Sequence, residues 1–296
     1  MGRAVANELR ARGAAKILIP RSVDHDLRRA ETARDLLEEF QPTLIIHAAA
    51  TVGGIGANRA NPATYFYDNL MMGALLLEAA RRVMTPKVVV IGTVCSYPRV
   101  TPVPFREENL WDGYPEATNA PYGIAKKALL VQGQALRDQY GLNSIHLIPV
   151  NLYGPGDNYD SKSSHVIPAI IEKCLDAIDR GEDEITIWGS GRATRAFLFV
   201  EDAARGVVDA AERYDGGEPI NLGSEVEISI RNLAEKIAER TGYVGRWIWD
   251  TSMPDGQPRR SVSSERARSA FGWSPSTTLD EGLARTIEDR LRQRRA

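Results

Sequence analysis

Short runs of β-branched and aliphatic residues alternate with longer stretches of helical period through the first two-thirds of the chain. Lys16-Ile-Leu-Ile19, Thr43–His47, Lys87–Ile91 and Ser144–Val150 read as strands, and residues 2–12, 59–83 and 122–140 as helices. Near-continuous apolar strands separated by helices predict βαβ units and a parallel sheet covered on both faces. Beyond about residue 155 Gly, Pro and Ser become more frequent. The predicted strands there are short, at 185–188, 197–200 and 219–222, with helices near 165–180, 201–213, 229–241 and 279–293. The pattern predicts an α/β chain: a doubly wound parallel sheet over 1–155 and a smaller, loop-rich α/β substrate-binding region over 156–296. A segment near 196–213 is expected to return to the first part. No repeat of fixed period interrupts this order.

A doubly wound sheet opens with a strand, a Gly-rich turn and a helix whose N-terminus receives a pyrophosphate. Here the chain begins inside what reads as that helix, with Gly2 in the place of the third glycine. The first strand and the first two glycines are missing. That strand is central in the order 3-2-1-4-5-6, so its loss leaves backbone groups of both neighbours unpaired. The expectation is a start roughly a dozen residues upstream, room for a strand of about 5–6 residues and a turn. A damaged fold is the alternative.

Composition narrows the function. The chain has 296 residues, 37 Lys+Arg against 39 Asp+Glu, and a formal net charge of −2. Nucleic acid as main partner is disfavoured, because phosphate binding leaves a basic footprint. Two cysteines, Cys95 and Cys174, cannot form a disulfide framework, which points to a reducing compartment. No apolar run reaches transmembrane length and the N-terminus has no signal-peptide pattern, so a cytoplasmic enzyme is expected.

Tyr122-Gly-Ile-Ala-Lys126 places a phenol and an ammonium on one face of a predicted helix. A nearby ammonium favours tyrosinate and brings the phenol's proton affinity toward working pH, suiting it to exchange a proton with a sugar hydroxyl or carbonyl. Chance alone gives such a pair in about one chain in four, and a helix-surface Tyr beside a solvated Lys is the bland alternative. Upstream, the strand Val88–Ile91 runs into Gly92-Thr-Val-Cys-Ser-Tyr-Pro98, so the Thr93 hydroxyl sits at a parallel strand's C-terminal end, where ligands bind. It can donate to the same oxygen that Tyr122 protonates. No Cys/His spacing suggests a metal site.

These residues resemble the extended short-chain dehydrogenase/reductases of Rossmann fold, and among them the GDP-L-fucose synthase family of epimerase-reductases. The resemblance runs from Gly2 nearly to the C-terminus. It rests on Ala49-Ala-Thr-Val-Gly-Gly-Ile55, Tyr67-Asp-Asn-Leu-Met-Met72, Val94–Pro98, Thr118–Lys126, Asn151-Leu-Tyr-Gly-Pro155, Ser163-Ser-His-Val-Ile-Pro168, Trp188-Gly-Ser-Gly191 and Pro254-Asp-Gly-Gln-Pro-Arg259. It implies two kinds of chemistry in one pocket. A 4-keto group acidifies the sugar protons at C3 and C5, and the family's acid/base pair falls on Cys95 and His165. A thiol and an imidazole have reference pKa values of about 8.5 and 6.5, which suits that role. NADPH then delivers hydride to C4 while Tyr122 supplies the proton, with Lys126 holding the nicotinamide ribose. Thr93 stands where the family usually has Ser. Without the resemblance Cys95 reads first as a buried small hydrophobe, and His165 could be a cap-region residue. His146 in a strand and His25 in a loop read as structural or solvated, His47 ends a strand near the cofactor with no partner to name, and Cys174 reads as core.

An Arg at the end of the second strand accommodates a 2′-phosphate where an acid would select NAD. Arg21 therefore favours NADP(H), unless it is a solvated loop Arg. Asp26 and Leu27 resemble the adenine-contacting segment, and the small residues Ala48, Ala49 and Ala50 let the backbone approach the diphosphate. The resemblance places substrate contacts at Arg195, Lys173, Arg259, Asn151 and Trp188, the cations gripping the diphosphate of a GDP-linked keto-deoxyhexose. Two departures stand out: Ala196 where the family has Glu, and Ser263 where it has Asp. The predicted helices near 59–83 and 122–140 are apolar on more than one face and must be buried; the resemblance implies a homodimer through them, and burial within one copy is the alternative. Three readings follow: the epimerase-reductase, another NAD(P)-dependent nucleotide-sugar epimerase or dehydratase, and an inactive reductase-like binding protein.

Overall fold

A computed structural model of the chain describes residues 1–253 and 255–295; Pro254, at the head of the Pro-Asp-Gly turn, lies outside the described residues. In chain order the elements are α1 (Gly2–Ala11), α2 (Ala30–Phe40), β1 (Leu44–His47), α3 (Ile55–Ala60), α4 (Pro62–Arg82), β2 (Lys87–Ile91), α5 (Ala120–Tyr140), β3 (Ser144–Pro149) and β4 (Asn151–Tyr153). They continue as α6 (Val166–Arg180), β5 (Glu184–Trp188), β6 (Thr194–Phe199), α7 (Val200–Arg213), β7 (Ile220–Leu222), β8 (Glu227–Ser229), α8 (Ile230–Thr241), β9 (Arg246–Asp250), β10 (Arg259–Arg260), α9 (Glu265–Phe271) and α10 (Leu279–Arg295).

The frame of the site is a four-stranded parallel sheet in the order β1-β2-β3-β7. Its central strand is almost wholly apolar and β-branched, and Val88, Val89 and Val90 are buried, as a sheet covered on both faces requires. Val88 and Val90 face α2, α4 and α5, packing with Leu37, Leu77 and Leu129. Val89 and Ile91 face the other way, toward Val5 of α1 and Ala203, Val207 and Val208 of α7. The helix that follows β6 thus covers this sheet, and Ile220–Leu222 pairs with β3 in it. α5 starts with Pro121 in its first turn and stops at Gly141, whose φ of 73° suits a left-handed C-cap.

One predicted strand is absent. Residues 16–20 are irregular, and Leu18 and Ile19 are 43% and 48% exposed. A strand in a parallel sheet needs a neighbour for its backbone donors and acceptors. The outer edge of β1 carries no strand partner among the described residues, so the local β-propensity of Lys16–Ile19 has nothing to pair with.

A second apolar cluster gathers α6, α8 and α10 around β5 and β6, with Ile170, Ile171, Cys174, Ile237 and Leu283 at its centre. Its strands form two small sheets, β10-β6-β4 with β8 antiparallel to β6, and the parallel pair β5-β9. Trp273 packs in the first cluster with α7, its indole N–H donating to the Asp202 carbonyl at 3.1 Å. No helix among the described residues is long and apolar enough to cross a membrane.

Candidate active site

A cavity of about 710 Å³ opens beyond the carboxyl ends of the sheet strands, where ligands bind in such sheets. Ala48 and Ala50 follow β1 into its wall, Gly92, Thr93 and Cys95 follow β2, and Asn151 follows β3. The opposite wall comes from the second cluster, through His165 and Lys173 of the α6 region, Trp188 at the end of β5 and Arg195 of β6. Gly2, Tyr122 and Lys126 complete it.

The hydroxyl of Thr93 ends the extended chain and accepts a hydrogen bond from the Cys95 amide at 3.2 Å, setting the tight turn Val94–Ser96. α5 lies directly on that turn. A Cβ on Gly123 would stand 2.2 Å from the Cys95 carbonyl oxygen, so only glycine permits the approach that brings Tyr122 beside Cys95. Burial pushes the Tyr122 phenol well up, the charge of Cys95 adds to the rise, and the Thr93 hydroxyl pulls it down. Lys126 is not among the groups that move it. Lys126 is itself desolvated, 1% exposed, and its pKa is brought down to about 8. Its Nζ makes one long contact, 3.5 Å to the Ala49 carbonyl.

His165 sits at the N-terminal edge of α6 with its ring open to the cavity. The protein packed around it lowers its pKa, Asp157 opposing and Arg260 adding to the fall. Arg260 reaches from β10 with one guanidinium nitrogen 3.7 Å from the Cys95 sulfur and another 3.2 Å from the Gln257 side-chain oxygen. Arg195 is pulled down to about 10, by burial first and then by Arg260, and donates to the Thr194 carbonyl at 2.7 Å. Neither arginine has a carboxylate partner among the described residues, which leaves the cavity strongly attractive to an anion. Lys173 donates to the Thr186 carbonyl at 2.6 Å, and Asn151 to the Ala196 carbonyl at 2.8 Å.

Five residues named from the sequence stand elsewhere. Arg21, Asp26 and Leu27 lie in the loop before α2, outside the cavity wall; Asp26 is paired with Arg28 at 2.8 Å. Ala49 contributes its carbonyl to Lys126 rather than lining the cavity. Arg259 points outward into an ion pair with Glu227 at 2.6 Å, and its neighbour Arg260 takes the inward position. Successive residues of a strand face opposite ways, so Arg259 and Arg260 point to solvent and to the cavity respectively. That alternation was the available signal for Arg260. Asp255, which accepts from the Ser190 amide at 2.6 Å, and Gln257 also line the cavity and were not singled out. The departures at Ala196 and Ser263 lie behind the wall: Ala196 is fully buried in the core, and the Ser263 hydroxyl donates to Glu225 at 3.1 Å.

The pattern of the NAD dependent epimerase/dehydratase family matches residues 1–223. The chain is 44% identical over 263 residues to the GDP-L-fucose synthase of Sinorhizobium fredii, covering 89% of this chain and 83% of that protein. It is 34% identical to the GDP-L-fucose synthase of Escherichia coli, covering 97% and 92%. A solved GDP-L-fucose synthetase from Naegleria fowleri bound to NADP superposes with a TM-score of 0.88 at 29% identity, covering all of this chain and 90% of that one. The chain belongs to the NAD-dependent epimerase/dehydratase family and, within it, to the GDP-L-fucose synthases.

Proposed function

We propose that the protein carries out NADPH-dependent 3,5-epimerisation and 4-reduction of GDP-4-keto-6-deoxy-D-mannose, giving GDP-L-fucose or a close analogue. The observation that carries this reading is the opening of Thr93, Cys95, Tyr122, Lys126 and His165, from three separate segments, onto one cavity.

The residues present fit NADP(H). Ala48 and Ala50 leave backbone open to the cavity, the N-terminus of α1 at Gly2 faces it, and Lys126 has donors to spare for a ribose beyond its single contact. When bound, the cofactor supplies hydride to C4. Tyr122 and Thr93 hydrogen-bond the C4 oxygen, so negative charge building there is stabilised while C3 and C5 exchange protons. Cys95 and His165 take and return those protons; the depressed pKa of His165 keeps its imidazole neutral, and so basic, at pH 7. Burial keeps Tyr122 protonated, which equips it to give its proton to the C4 oxygen. Arg195, Lys173 and Arg260 hold the diphosphate, Asn151 the hexose, and Trp188 packs at the nucleotide end.

In this reading residues 1–155, with the segment 196–213 returning to them, serve the cofactor, and 156–296 the substrate. A homodimer through α4 and α5 is supported by Phe66, Tyr67 and Val131, 37%, 55% and 47% exposed on those helices. A working thiol at Cys95 and a second free thiol at Cys174 fit a cytoplasmic setting.

The test is to supply GDP-4-keto-6-deoxy-mannose and NADPH. Stoichiometric cofactor oxidation with a GDP-6-deoxyhexose product supports the proposal. Isomerised sugar without net oxidation assigns the protein to epimerases that return their hydride, and absence of both removes the enzymatic reading.

A further inference from the structure

The loop that leaves β1 is clamped by two buried asparagines. Asn69 donates to the Thr51 carbonyl at 2.8 Å and accepts from the Thr51 amide at 3.2 Å. Asn58 donates to the Gly53 and Gly54 carbonyls at 2.8 and 3.1 Å. Across the cleft, the segment before α6 is braced in its turn. One carboxylate oxygen of Asp160 accepts from the Lys162 amide at 3.0 Å, the Ser163 amide at 3.1 Å and the Ser163 hydroxyl at 3.0 Å. The two loops meet where the Gly54 amide donates to the Ser163 carbonyl at 3.2 Å. Gly53 and Gly54 line the cavity from the sheet side, and Ser164 and His165 line it from the other.

Gly54 has φ −65° and ψ 177°, a conformation open to any residue, so its own backbone does not call for glycine. Closeness does: a Cβ there would lie 2.8 Å from the Ser164 carbonyl oxygen. That oxygen belongs to the planar peptide that ends at the His165 nitrogen, so displacing it carries His165 along. On its other side the His165 carbonyl is held by the first turn of α6, accepting from the Ala169 amide at 2.9 Å. His165 is therefore fixed between a helix end and the meeting point of the two loops.

We propose that the Gly54–Ser163 contact is a clasp across the cleft that positions the His165 imidazole for proton transfer, with Gly54 and Asp160 as positioning residues on either side. The inference rests on the epimerase-reductase reading above. It adds how the part of the chain that carries Thr93, Tyr122 and Lys126 sets the reach of an acid/base group carried by the other part.

The experiment follows deuterium uptake from D2O into GDP-4-keto-6-deoxy-mannose, with NADP+ in place of NADPH so that no hydride is available. The intact protein is compared with Gly54→Ala, Asp160→Ala, Asp160→Asn and the double variant Gly54→Ala, Asp160→Ala. Asp160 is exposed and Gly54 needs no special backbone, so the variants are expected to fold, and melting temperatures check this. Gly54→Ala and Asp160→Ala should each lower kcat for exchange roughly tenfold or more while KM stays within about twofold, the signature of a displaced acid/base group rather than of lost binding. Asp160→Asn keeps an acceptor oxygen and should recover most of the loss. Because both substitutions open one clasp, the double variant should be no worse than the poorer single variant by more than about twofold. Exchange undiminished in Asp160→Ala, or losses that multiply in the double variant, would overturn the clasp. A parent protein that exchanges no deuterium would contradict the epimerase-reductase reading itself.

Discussion

The guanidinium of Arg260 stands 3.7 Å from the sulfur of Cys95, joining β10 to the turn after β2 across 165 residues of sequence. Arg259, one position earlier, faces solvent and Glu227. Arg260 therefore belongs to the cavity and Arg259 to the surface, a distinction that substitution can read directly.

Arg259→Ala breaks an exposed ion pair, for which about 1 kcal/mol of stability is an upper estimate, and should leave kcat/KM within about twofold. Arg260→Ala removes a buried cation facing the substrate and should lower kcat/KM by roughly a hundredfold. Steady-state kinetics on the two variants side by side check the assignment. Equal effects would return the contact to Arg259.

The acid side of the activity profile should report His165. Its pKa lies below the ordinary histidine value because of the protein packed around it, with Asp157 raising it and Arg260 lowering it further. Asp157→Asn should therefore move the imidazole titration to lower pH and Arg260→Gln to higher pH. NMR titration of the His165 ring resonances reads both directions. Shifts of the same sign in the two variants would contradict this electrostatic arrangement.

Lys126 keeps function at the expense of stability. Its pKa is about 8 in the fold against an ordinary 10.5, so the unfolded chain holds the proton more tightly. The resulting penalty is complete below pH 8, fades between pH 8 and 10.5, and is gone above. A difference of that size corresponds to about 3 kcal/mol. Lys126→Met should abolish reduction yet raise stability by up to this amount at pH 7, with the gain shrinking toward pH 10. Denaturant melts at both pH values measure it.

Two buried histidines should make the fold acid-labile. His47 and His146 are paired in register with the same residue, Val90, from either side, and both are pushed down to about 3, chiefly by burial and then by Lys126. Nε2 of His47 and Nδ1 of His146 have no hydrogen-bond partner among the described residues. Below the ordinary pKa of 6.5 the unfolded chain takes up protons that the folded one refuses, so stability falls as pH drops from 6.5 toward 3. At pH 5 the two together cost about 4 kcal/mol relative to pH 7. The double variant His47→Leu, His146→Leu should flatten the dependence of stability on pH across that range.

The sheet was legible where one strand's own residues decide its fate. Lys87–Ile91 and Ser144–Pro149 are apolar enough to be buried on both faces wherever the sheet places them. Lys16–Ile19 has the same local character, but a strand depends on a partner that its own residues do not encode. The amphipathic helix Ala30–Phe40 and the strand Arg246–Asp250 went unnamed, the latter because its burial alternates weakly on an exposed pair of strands. In the site, motif position recovered the groups that line the cavity from β2, α5 and α6. It did not show that Arg259 faces Glu227, which depends on strand phase, nor that burial raises the Tyr122 phenol. Sequence spacing shows which groups share a face; it does not show how much water is left around them.

The most direct test of the account follows deuterium in D2O with GDP-4-keto-6-deoxy-mannose. The parent protein with NADPH should yield product carrying deuterium at C3 and C5. Tyr122→Phe should still exchange those positions while NADPH oxidation falls by about a hundredfold or more, and Cys95→Ala and His165→Ala should each lose exchange. Exchange that persists undiminished in both the Cys95 and His165 variants would contradict the convergence of these groups on one sugar.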